Sequence, residues 1–238
     1  MLELASLFIA AFVSAAISGA AGFGGALLLL PLLVETVGTT QAVPLLTIAQ
    51  LIGNLSRAGF GFTQIHWKPV SLFLLGAIPL SILGAISFVQ LPKELVTRLI
   101  GAAIFVFVAQ KFFCLLKIKS GRAVLIGGGA AVGYLSGLVG SAGPLGAAIF
   151  LSLGLPPVAY IASEATTALA IHGTKAVVYH HYIVLDREFW YLAALLGAAM
   201  VLGTWSSKRI IERMRRETFQ RFVTLLLLAI AGYMVIHG

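Results

Sequence analysis

Along this chain the hydrophobic positions gather into long apolar runs, separated by short polar or basic connections. Eight runs stand out: about 2–33, 39–60, 69–89, 94–116, 123–155, 158–179, 189–205 and 219–236. A helix needs about 20 apolar residues to cross a hydrocarbon core of about 30 Å, whereas a barrel strand needs about ten in alternating pattern. Continuous runs of this length predict an all-α integral membrane protein. Two runs are too long to be single spans. At about 1.5 Å per residue, the 32 residues of the first would extend about 48 Å, and the fifth is as long. Each contains a glycine cluster, Ser18-Gly19-Ala20-Ala21-Gly22-Phe23-Gly24-Gly25 in the first and Ser136-Gly137-Leu138-Val139-Gly140-Ser141-Ala142-Gly143 in the fifth. Glycine weakens a helix by about 1 kcal/mol relative to alanine. The clusters therefore mark the places where each run breaks into two helical arms. Pro31 is expected to close the second arm of the first run, and Pro156-Pro157 that of the fifth.

The two clusters lie in register. At an offset of 118, Ser18 falls on Ser136, Gly19 on Gly137, Gly22 on Gly140, Leu51 on Leu169 and Arg57 on Lys175. After a five-residue insertion, Glu94 falls on Glu217 and Arg98 on Arg221. The expected organisation is one transporter domain built from two repeats, residues 1–117 and 118–238. Each repeat holds a glycine-broken hairpin, re-entrant or long, followed by three transmembrane helices.

Composition agrees with the hydrophobic pattern: 60% of residues are hydrophobic and 10% charged, against about 25% charged in soluble domains. The net charge of +8 does not point to nucleic acid, because the basic residues lie mainly in the connections between runs, as membrane topology requires. If all eight runs cross, basic residues divide eight to eight between the two sides and set no orientation. If runs one and five are re-entrant hairpins, twelve lie on one side, and Lys93, Arg98, Lys175 and Arg187 alone lie opposite. That bias favours hairpins, an inverted relation between the repeats, and both termini outside. The start of the chain has no basic n-region and its apolar run continues, so no cleaved signal is expected. The single cysteine, Cys114, excludes an internal disulfide and any multi-cysteine metal site. No cofactor or metal pattern is present, since His180-His181 lacks ligand spacing and carboxylate company.

Candidate chemistry follows from the broken arms. Half-helices beginning near Gly22, Gly24 and Gly25, and near Gly140, Ser141 and Gly143, would bring unpaired N–H groups and a positive dipole end toward the bilayer midplane. Such a site suits a small anion; alternatively, the glycines serve tight helix packing. Arg57 and Lys175 occupy equivalent places, with Asn54 and His172 one helical turn earlier on the same faces. They would hold an anion, or the two cations would snorkel to the interfaces. Glu164 sits inside the sixth run near its start. It is a proton-coupling candidate, as is His172, or else an interfacial acid at a helix beginning. Ser141 and Thr166-Thr167 offer hydroxyls to a ligand or to their own helices. No histidine is placed as a base for Ser141, which argues against catalysis.

The stretch Ile17-Ser18-Gly19-Ala20-Ala21-Gly22-Phe23-Gly24-Gly25 with Pro31 downstream, its echo Leu135–Gly143, and Ala162-Ser163-Glu164-Ala165-Thr166-Thr167-Ala168 resemble the sulfite exporter TauE/SafE family of membrane transporters. The resemblance covers nearly the whole chain. It implies a multi-pass protein of the bacterial inner membrane that exports a small sulfur-containing anion, such as sulfite or sulfoacetate, in a proton-linked manner. Its partners would be the anion, protons and membrane lipids; the sequence does not set the oligomeric state. Where the family has three consecutive glycines, this chain has Gly24-Gly25-Ala26 and Gly143-Pro144-Leu145-Gly146, so the second tip is expected to differ in shape. A channel-like anion pore shares the same electrostatics. A membrane-embedded enzyme or assembly factor would need an acid–base or metal constellation that the sequence lacks.

Overall fold

A computed structural model describes residues 2–21, 25–113 and 121–211, and these form eight α-helices with no strand among them. The helices are α1 (Leu2–Ala21), α2 (Gly25–Phe60), α3 (Trp67–Gln90), α4 (Lys93–Phe113), α5 (Arg122–Val139), α6 (Gly143–Leu151), α7 (Pro157–Tyr182) and α8 (Arg187–Ile211). Four stretches within them, Gly25–Gly59, Trp67–Gln90, Arg122–Val139 and Arg187–Ser207, are long and apolar enough to cross a membrane. Gly22 and Gly24, the Cys114–Lys119 connection and the eighth apolar run with Glu217 and Arg221 lie outside the described residues.

The long runs break where glycine permits, with one difference from expectation. Pro31 does not close the second arm, because α2 passes through both Pro31 and Pro44. A proline inside a helix removes one backbone hydrogen bond, which membrane helices tolerate when neighbours re-satisfy the freed carbonyl. The arm bends instead at Gly38, whose φ of 73° and ψ of 158° are open to glycine alone. In the other half the short arm α6 has nine residues, about 14 Å, and ends before Gly154 at φ 64°. By contrast α1, with 20 residues, extends about 30 Å, and α5, with 18, about 27 Å. In each half, then, a helix of 18–20 residues precedes a shorter arm, which ends at the Gly38 bend in α2 and at Leu151 in α6.

The remaining path is fixed by close contacts. Thr39, just past the bend in α2, bonds Thr97 in the first turns of α4 at 2.6 Å. At the other end of α2, a Cβ on Gly61 would press on Ala162 and Val158 near the start of α7, and Gly173 of α7 lies against Leu51. α2 and α7 thus run antiparallel through the centre. α3 packs most extensively on α5, and α1 on α8. Both pairs run parallel, and both close on glycine. A Cβ on Gly129, Gly133 or Gly137 of α5 would strike the backbone of α3 at Phe73, Ala77 and Ser81 in turn. On the opposite flank a Cβ on Gly203 of α8 would strike the carbonyl of Phe12, and one on Gly19 of α1 the hydroxyl of Ser207. Backbones this close gain packing where no water drives association. Large apolar side chains including Leu75, Leu83, Phe105, Val106 and Val177 point outward, as a lipid-facing surface requires.

Candidate functional site

The two glycine tips bring a cation each into the interior. Arg57, on the last turn of α2's apolar stretch, is buried. Its Nη1 donates to the carbonyl of Ser18 near the end of α1 at 3.2 Å, and its Nη2 donates to Asn54 Oδ1 one turn back. Lys175 on α7 is fully buried. Its Nζ donates to Ser136 Oγ at 3.2 Å and to the carbonyl of Gly140 at 2.8 Å, and meets His172 Nδ1 at 3.4 Å. Three acceptors match the three donors of an ammonium. In the last contact the His172 tautomer sets which group donates. Both cations sit at C-terminal ends of tip helices, where the negative end of the helix dipole favours positive charge. Residues 118 apart in sequence make corresponding contacts: Arg57 with Ser18 and Asn54, Lys175 with Ser136 and His172.

Glu164 stands two turns inside α7 and is 5% exposed, buried among the helices. Its Oε2 lies 4.0 Å from Arg57 Nη1, an ion pair linking the two halves of the chain. That oxygen has no hydrogen-bond partner. Gln50 Nε2, also buried, has none either. Both residues line a cavity of about 50 Å³ between the tips, together with Ser18, Asn54, Arg57 and His172. Ser141, Gly143 and Gly146 close it from the second tip, and Ser136 and Thr167 also reach it.

Of the residues singled out from sequence, Asn54, Arg57, Ser141, Gly143, Glu164 and His172 meet at this cavity. Gly25, Gly140 and Lys175 stand one layer behind it. Neither cation snorkels, because burial and bonds to α1 and α5 hold both inward. The tips differ from expectation in one respect. The N–H of Gly25 bonds Ser18 Oγ at 2.9 Å, and that of Gly143 bonds Ser141 Oγ at 3.4 Å. Pro144 has no N–H, and those of Leu145 and Gly146 bond the carbonyl of Ala142. The start of α6 therefore offers a dipole end but few free donors. The tight geometry still requires glycine: a Cβ on Gly25 would collide with the Ser14 carbonyl and Ser18 Oγ, and Gly140 has φ 88°.

Sequence reasoning passed over Gln50 as a site residue, although a lone amide one turn before Asn54 in an apolar run was a readable signal. The paired hydroxyls of Thr166 and Thr167 donate back to Ala162 and Glu164 carbonyls. His180 and His181 fall in the last turn of α7. Among the described residues, no three of His, Cys, Asp and Glu converge as a metal site. Among the buried side chains of the site, two basic groups, Arg57 and Lys175, stand against one acidic group, Glu164.

The chain matches the family "Sulfite exporter TauE/SafE" over residues 7–234 and belongs to it. Comparison with curated proteins and with solved structures gave no match.

Proposed function

We propose that this TauE/SafE family protein is a secondary transporter that exports a small sulfur oxyanion, of the sulfite or sulfoacetate class, with proton coupling. The observation that carries this reading is the excess of buried positive charge around a cavity between two glycine tips. A cavity of about 50 Å³ has room for only a few waters, at about 10–15 Å³ or more each. That favours a compact anion over a large organic one. Arg57 would bind the anion directly, while Lys175 would act from behind through His172 and the Ser136 hydroxyl. Asn54 would aim the guanidinium. Ser141 and Gly143 would meet the anion at the second tip and Gly22 and Gly24 at the first, with Gly25 and Gly140 shaping the tips from behind.

Proton linkage follows from competition for Arg57. While ionised, Glu164 holds the guanidinium; once protonated, it releases the guanidinium to the anion, and a bound anion in turn favours that proton, so anion and proton would cross together and export would run on the anion's own outward gradient. His172 is the alternative carrier. The inverted repeat is part of the same proposal. Exchanged packing of α3 on α5 and α1 on α8 around an antiparallel α2–α7 pair supports it. In such architectures, access alternates as one half rocks against the other around a midplane site. We place the protein in the bacterial inner membrane with both termini outside.

Sulfite flux into proteoliposomes under an imposed pH gradient tests the reading. A coupled transporter accumulates sulfite above equilibrium and stops when the gradient is collapsed. A pore would carry it downhill alone, and that outcome would refute coupling.

A further inference from the structure

We propose that Gln50 is a substrate-contacting residue whose side-chain amide donates to an oxygen of the bound anion. The inference rests on the anion-transport reading above and adds a donor that the charged residues do not supply. Gln50 is 3% exposed, lines the cavity, and its Nε2 has no hydrogen-bond partner. A buried amide N–H left without an acceptor is costly, and native proteins rarely keep one without a use. The neighbouring amide cannot take this role as it stands. Asn54 Nδ2 donates to the Gln50 carbonyl at 2.8 Å, and its Oδ1 accepts from Arg57. On one face of α2, Asn54 is thus spent on positioning while Gln50 and Arg57 face the ligand space.

The position also breaks the pairing between the halves. At the offset of 118, Gln50 falls on Ala168, which lines the same cavity but carries no donor, and Glu164 falls on the buried, apolar Leu46. The orphan donor and the orphan carboxylate oxygen are therefore each present once. A symmetric frame holding an unsymmetric set of polar groups binds its ligand in one orientation. An oxyanion suits it, since one oxygen can meet the guanidinium and another the amide.

The test is a thermal-shift titration of the purified protein in detergent with sodium sulfite, and with sodium chloride at equal ionic strength as the control. The wild type is expected to respond to sulfite and not to chloride. Gln50→Met keeps the length and removes the donor. It is expected to raise the sulfite midpoint about tenfold or more, while the melting temperature without ligand stays level or rises, because an unsatisfied group has been removed. Gln50→Glu, which replaces the donor with an acceptor, is expected to show the same loss and serves if the methionine variant does not fold. A sulfite midpoint within about twofold of wild type in the variant that folds would overturn the role of Gln50 and leave the transport reading intact. A wild type that responds to neither sulfite nor sulfoacetate would overturn both.

Discussion

Arg57, Glu164 and Lys175 define what the interior can tolerate. Among the described residues, two basic groups and one carboxylic group are buried in a protein that has only 10% charged residues. Glu164 faces Arg57 at 4.0 Å. Glu164→Gln is expected to preserve downhill sulfite flux while abolishing its acceleration by an inward proton gradient; coupled flux at the wild-type level would remove Glu164 from the mechanism. Gly140 is a second sensitive point, because its φ of 88° places the carbonyl that receives Lys175. Gly140→Ala should cost about 1–2 kcal/mol from the left-handed backbone alone, and a Cβ there would also press on Leu30 at 3.2 Å. A melting temperature several degrees lower is the expected readout. Arg57 and Lys175 were legible in the sequence because charge is rare in an apolar run. Their direction was not, since the same spacing fits a snorkelling side chain, and burial is settled by helices far away in the chain. Gln50 escaped notice for a related reason. A neutral amide gives no charge signal, and only the absence of a partner in three dimensions marks it out.

At the scale of the helix, glycine does two different jobs that sequence alone does not separate. On α5, Gly129, Gly133 and Gly137 face α3 so closely that a Cβ would meet its backbone. Gly127 on the same helix has nothing within 4 Å. Gly133→Val is expected to separate α3 from α5 and cost at least about 1–3 kcal/mol as an overpacked contact. It should yield little monodisperse protein in size-exclusion chromatography. Gly127→Ala should be neutral or add up to about 1 kcal/mol; an equal loss from both would contradict the packing role. The broken runs were readable from length and glycine content, and the structure divides the fifth at Gly140–Ala142 as expected. The bend at Gly38 was not anticipated as the end of the short arm. Pro31 is the stronger breaker by propensity, but helix packing within a membrane overrides it.

Across the whole molecule, the charge count and the chain path point the same way. The path from Gly38 beside α4, through the antiparallel α2–α7 pair, sets the C-terminal ends of α2, α4 and α8 on one side among the described residues. The connections that follow those ends are the basic ones in the twelve-to-four division of lysine and arginine. Reporter fusions after Leu116 and after Arg216 are expected to be cytoplasmic, and one at Pro92 external. A fusion after Leu116 found outside would overturn the hairpin topology. The central claim is that a small oxyanion binds between the two tips under the field of Arg57 and Lys175. Its most direct test is sulfite flux in proteoliposomes containing the wild type, Arg57→Gln or Lys175→Gln, with each variant first shown to be folded and monodisperse. The account predicts that each variant loses about 90% or more of the flux, as expected when a charge-assisted contact worth about 1.5–3 kcal/mol is removed. Flux undiminished in both would contradict it.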